Sequence, residues 1–139
     1  MRVEVNWNGN IQFEAKGGSG HSIIMDAAPE VGGQDTGPRP MELVLSAVGG
    51  CTGIDIVLTL KKMRVDFETF SMEINGERAN DYPKRFTKVH IHYKLTGENI
   101  PEDKVRRAVD LTRDKYCSAS NSLNADITTS FEINGIQYE

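Results

Sequence analysis

The sequence predicts an α+β protein in which helices pack on antiparallel sheet, in the order βββ-α-ββ-α-β. Three observations lead there. Short alternating segments near the N-terminus are separated by glycine- and asparagine-rich turns; one long apolar segment fills residues 40–62; further alternating segments flank a second helical stretch after residue 101. With 139 residues the chain is large enough for one hydrophobic core, so a single domain over residues 1–139 is expected.

Arg2 to Trp7 alternates, with Val3, Val5 and Trp7 set against Arg2, Glu4 and Asn6, the pattern of a half-buried strand. Asn8-Gly9-Asn10 is a hairpin turn, because Gly and Asn tolerate positive φ. A second strand follows over Ile11 to Lys16, then a turn at Gly17 to Gly20, then a third strand over His21 to Ala27. Residues 29–40 hold three prolines and three glycines and read as loop, ending at Pro40, a favourable first residue of a helix.

From Pro40 to about Lys62 the pattern is helical and apolar on nearly every side, which predicts a buried helix. Its longest apolar stretch, Leu43 to Leu60, is about long enough to cross a bilayer. It nevertheless opens on Glu42 and carries Asp55, Ser46, two threonines and three glycines, which favours the core of a soluble protein. Gly49, Gly50 and Gly53 each cost about 0.5–1 kcal/mol against alanine inside a helix, so close backbone approach by a packed element or a ligand is expected there.

Phe67 to Glu77 reads as a strand leaning Phe70, Met72 and Ile74 inward, with a turn or bulge near Asn75-Gly76. In Arg85 to Leu95, Val89, Ile91, Tyr93 and Leu95 face in while Lys88, His90, His92 and Lys94 face out. Pro101-Glu102-Asp103 begins a helix with proline and acids in the first turn, and the helix reaches Tyr116 or beyond. Ile127 to Ile133 is the closing strand.

The net charge of −4 gives no reason to expect nucleic acid or an anionic membrane as partner. The N-terminal segment has no signal or transit character, so the expected compartment is the cytoplasm. Dinucleotide, phosphate-loop, HExxH and CxxC motifs are missing, and no cofactor and no metal are expected. His90 and His92 have the spacing of a metal pair but fall among lysines on a polar strand face.

Chemistry therefore narrows to Cys51 and Cys117. Buried cysteines can be inert packing; two thiols brought together in a reducing compartment can instead run a redox cycle. Asp55 lies one helical turn after Cys51 and shares its face. A carboxylate there opposes thiolate formation and needs a partner of its own, for which Arg39 and Arg64 or a second subunit are candidates.

Two segments carry a resemblance. Gly37-Pro38-Arg39-Pro40-Met41-Glu42-Leu43, running through Ser46-Ala47-Val48-Gly49-Gly50-Cys51-Thr52-Gly53, resembles the central-helix motif of the OsmC/Ohr family. Lys115-Tyr116-Cys117-Ser118-Ala119-Ser120-Asn121-Ser122-Leu123 resembles its second-cysteine motif. The resemblance covers essentially the whole chain and implies an OsmC-like fold assembled as an intertwined homodimer. It also implies a cysteine-based peroxidase for organic hydroperoxides, with Cys51 peroxidatic, Cys117 resolving and an external dithiol as reductant. Where hydroperoxide reductases of the family place a glutamate ten residues before the first cysteine and an arginine in the early glycine turn, this chain has Met41 and Ser19. Glu42, Arg39 and Asp55 are the candidates for activation or support, and His21 lies beside the glycine turn. The competing function is a non-catalytic module of the same fold that binds an apolar small molecule at the dimer interface.

Overall fold

The computed structural model describes all residues, Met1–Glu139. The chain forms two compact units, Met1–Val44 and Leu45–Glu139. In the first, β1 (Val3–Trp7), β2 (Phe13–Gly17) and β3 (Ser22–Met25) form an antiparallel meander. The β1–β2 turn places Gly9 and Asn10 at positive φ, as the Asn-Gly-Asn sequence requires. The alternation in β1 is present, but all five of its residues are exposed in the single chain, with Trp7 at 65%. The expectation of a half-buried strand is therefore corrected: in the single chain neither face of β1 is covered.

The loop after β3 is organised by Asp26, which the sequence reading passed over. Its carboxylate accepts from the backbone N–H groups of Ala27 (2.7 Å), Gln34 (3.3 Å) and Thr36 (3.2 Å) and from the Thr36 hydroxyl (2.5 Å). The Thr36 hydroxyl is the main cause of an acidity stronger than an ordinary aspartate's, against an opposing push from burial. A carboxyl whose pKa is lowered by folding stabilises the fold above its unfolded value near 3.8, and that stabilisation is lost as pH falls through the lowered value. Asp26→Asn is expected to depress the melting temperature near neutral pH, with the gap from wild type closing below pH 3.8. Paired thermal melts across that range check it.

The second unit holds most of α1 (Pro40–Lys62), whose ends match the sequence reading, and a four-stranded sheet in the order β4-β5-β6-β7. These strands are β4 (Thr69–Arg78), β5 (Phe86–Thr96), β6 (Asp126–Ile133) and β7 (Ile136–Tyr138). The inward set of β5, Val89, Ile91, Tyr93 and Leu95, is buried as expected and joins Ile56, Leu60, Val105, Val109 and Phe131 in the core. Two of the three α1 glycines serve packing on β4. A Cβ on Gly49 would lie 2.7 Å from Ile74 Cδ1, and one on Gly53 2.9 Å from Met72 Cε, while Gly50 meets open space.

By length and composition α1 could cross a membrane, but Val48, Thr52, Ile56 and Leu60 are buried in protein. Its other face is not. Ile54 is 64% and Leu58 52% exposed, so the helix is not buried all round in one chain. A single sheet covers one side of a helix, and the far side needs another surface.

Two further features, a parallel pairing and an added strand, depart from the sequence pattern. β5 and β6 pair in parallel within a sheet whose other pairings are antiparallel, because the chain between them crosses over through a helix. Asn134 and Gly135, both at positive φ, return the chain as β7, whereas the reading ended at β6. The irregularity anticipated near Asn75-Gly76 is a register shift at Glu77/Arg78.

Candidate functional site

The second helix, α2 (Glu102–Leu111), does not run on regularly to Tyr116. Its helical path widens into a π turn over Thr112–Tyr116, closed by the Cys117 N–H on Thr112 O at 2.9 Å, and the backbone turns extended at Cys117 (φ −71°, ψ 101°). A four-residue helix, α3 (Ser118–Asn121), follows. Such π turns recur at functional sites because they displace a side chain from the regular helical spiral. Here the displaced residue is Cys117. Its carbonyl accepts from the Asn121 backbone (3.2 Å) and side-chain amide (2.8 Å), and its Sγ accepts from the Ser120 N–H at 3.4 Å.

This anchoring brings Cys117 to α1. The sulfurs of Cys51 and Cys117 and a carboxylate oxygen of Asp55 all lie within 4.8 Å of one another. Both cysteines are free thiols; Cys117 is 1% exposed, and Cys51 is more accessible. Burial pushes the Cys117 thiol above its ordinary pKa, with contacts to Ser120 pulling it down and adjacent Cys51 adding to the rise. Cys117 is therefore held protonated.

Within the chain Asp55 pairs with neither Arg39 nor Arg64. Its Oδ2 is shut off from solvent with no hydrogen-bond partner, and its carboxylate makes no ion pair in the chain. One-turn spacing from Cys51 instead aims it at the two sulfurs. Asp55 also borders a cleft of about 310 Å³ with Leu58, Thr59, Lys62, Met63, Arg107, Leu111 and Tyr116. Arg64, the other cation considered, turns away at the helix end in a positive-φ conformation and lines a different hollow with Asp66 and Glu68.

Arg39 and Glu42 belong to the N-terminal unit. Arg39 pairs with Asp35 at 2.7 Å and donates to Gly37 O at 3.1 Å, while Glu42 accepts from the Arg39 N–H at 3.2 Å. His21 Nδ1 bonds Ser19 Oγ at 3.2 Å on the surface of the same unit. His90 has both ring nitrogens engaged, with Thr128 at 2.7 Å and Ser130 at 2.8 Å, and His92 shares Ser130 at 2.7 Å. The two rings bind hydroxyls of β6.

One contributor carries no sequence signal beyond that of a core residue. Tyr93 is fully buried and its hydroxyl bonds Thr52 Oγ1 at 2.7 Å, directly beside Cys51 in sequence. Desolvation is the main cause of its pKa being pushed up to about 12, with Cys117 close enough to add to the rise. The alternation of β5 placed Tyr93 inside, but nothing local marks its polar partner 41 residues away. Tyr93→Phe strands a buried hydroxyl and is expected to cost about 1–3 kcal/mol. Adding Thr52→Val removes the other partner and should recover part of that loss in urea unfolding.

The OsmC-like protein model matches residues 33–132, which include both cysteines and the whole of α1. The chain belongs to the OsmC-like family. It is 38% identical to Protein YhfA of Escherichia coli K12 over 135 residues, 96% of this chain and 98% of that one. A hypothetical protein from Aquifex aeolicus VF5 superposes with a TM-score of 0.78 at 28% identity, covering 96% of both chains. An organic hydroperoxide resistance protein OsmC from Legionella pneumophila shares the fold at 16% identity, with a TM-score of 0.68 over 94% of this chain and 95% of that one. This OsmC-like chain thus has the α+β architecture that its sequence predicts, with two sheets and a long central helix.

Proposed function

We propose that this OsmC-like chain is a cytoplasmic thiol peroxidase that reduces organic hydroperoxides, with Cys51 as peroxidatic and Cys117 as resolving residue. The observation that carries the reading is the pair of free thiols within 4.8 Å of each other, one accessible and one buried and held protonated. The family's hydroperoxide resistance proteins, such as that of Legionella pneumophila, supply the substrate class.

The Asp55 carboxylate, one oxygen of which lies within 4.8 Å of the Cys51 sulfur, takes the Cys51 proton, which turns a group that would oppose a thiolate into the one that generates it. The Cys51 thiolate attacks the distal peroxide oxygen. The O–O bond breaks, Cys51 becomes a sulfenic acid, and the alkoxide leaves as alcohol with the proton returned from Asp55. Cys117 then attacks the sulfenic sulfur, the S–O bond breaks, water leaves with the thiol proton, and a disulfide forms. An external dithiol reduces it by exchange. Arg39 and Glu42 act in support by fixing the segment that opens α1. The apolar outer face of α1 is the surface on which two copies associate as a homodimer.

Mass spectrometry of the reduced chain after one equivalent of cumene hydroperoxide tests the reading. The expected product has lost two hydrogens, with Cys51 and Cys117 in one cross-linked peptide. A chain that leaves the peroxide unconsumed, or accumulates oxygen on Cys51 without the cross-link, overturns it.

A further inference from the structure

We propose that Cys51, Cys117 and Asp55 of the reduced chain form a zinc-binding site. This goes beyond the peroxidase reading and uses the same three side chains in a different chemistry. Two thiolates and a carboxylate form a donor set for a borderline-soft divalent cation, and hard cations such as magnesium avoid sulfur. The separations fit. In a tetrahedral site with Zn–S near 2.3 Å, two sulfurs stand about 3.8 Å apart. The three donor atoms already lie within 4.8 Å of one another, so side-chain rotation alone closes the set.

An independent observation points the same way. Asp55 Oδ2 is buried without any hydrogen-bond partner, the condition of a carboxylate oxygen whose natural neighbour is a cation. The histidines do not compete, since both rings are committed to hydroxyls on β6. Binding converts two thiols to thiolates and releases two protons, leaving a complex of net charge −1. Lys62 and Arg107, on the cleft that Asp55 borders, offset that charge. The fourth coordination position falls to water or an exogenous ligand entering by this cleft. Because both sulfurs are used, bound zinc and a Cys51–Cys117 disulfide exclude one another.

The experiment is calorimetric titration of the reduced full-length chain with zinc chloride, in two buffers of different ionisation enthalpy, with cobalt(II) as spectroscopic probe. One equivalent of metal is expected to bind and release about two protons, with a thiolate-to-cobalt charge-transfer band. Cys51→Ser should weaken binding at least ~100-fold, and Asp55→Asn about 10-fold with the band retained. The chain oxidised by diamide should bind no zinc. Cys117→Ser is informative only if its circular dichroism matches wild type; Cys51, more accessible, keeps the test decisive if it does not. Binding unchanged in Cys51→Ser, or a reduced chain that gives no charge-transfer band, overturns the site. No hydroperoxide is present, so failure of the peroxidase reading would leave this result unaffected.

Discussion

Cys51→Ser is expected to reduce organic hydroperoxide consumption on the order of 10³-fold or more, because a serine hydroxyl neither ionises nor attacks peroxide oxygen as a thiolate does. Cys117→Ser should behave differently. Its first turnover should still proceed, since in the proposed mechanism Cys51 alone cleaves the O–O bond, but the sulfenic acid has no resolving thiol within reach. Steady-state turnover then collapses while a burst of one equivalent of alcohol remains. The sulfenic acid becomes trappable by dimedone and progresses to sulfinic acid with excess peroxide. Rapid-mixing peroxide assays combined with mass spectrometry separate the two variants. Asp55→Asn completes the comparison. A positioned proton carrier contributes about 10²–10⁴-fold, so this variant should slow the burst itself while leaving the cysteines able to cross-link under diamide. A burst of wild-type rate in Asp55→Asn would reduce Asp55 to a structural neighbour. A burst kept in Cys51→Ser and lost in Cys117→Ser would reverse the division of roles drawn from accessibility.

What the sequence made legible follows the range of the interactions involved. The ends of α1 are written locally, by Pro40 at its start and Lys61-Lys62 in its last turn. The inward set of β5 is written in strict alternation. The parallel β5–β6 pairing is not local: it depends on how the chain returns after α2, and the residues of β6 alternate in either direction. The π turn at Thr112–Tyr116 adds one residue to a helical turn and leaves no periodic mark, so the sequence pattern runs on as a regular helix past the point where Cys117 is displaced. The same limit governs the site. One-turn spacing predicts that Cys51 and Asp55 share a face and that Asp55 needs a cation or backbone donors, but only the folded chain reveals that Cys117 stands beside them. Asp26 was invisible for a similar reason, as its donors come from loop residues that the carboxylate itself gathers.

The second large effect concerns the face of α1 that the chain leaves bare. Gly50, Ile54 and Leu58 recur every four residues, and Gly50, Ile54 and Leu58 border a shallow apolar hollow of about 410 Å³ with Val57, Phe70 and Met72. A contiguous exposed apolar surface of this kind is a natural seat for the proposed homodimer. Ile54→Glu is expected to turn the proposed homodimer into monomers. In the monomer the substituted side chain points to water and costs about 0.5 kcal/mol or less, so the fold persists. In a dimer packed through this face an unpaired carboxylate is buried, at a cost of at least ~3 kcal/mol, which weakens association more than ~100-fold. Light scattering at micromolar concentration, with circular dichroism to verify folding, distinguishes the outcomes. A folded Ile54→Glu chain that keeps the wild-type dimer mass would place the interface elsewhere. A monomeric wild type would remove the dimer from the proposal and leave the exposed α1 face without the role assigned to it.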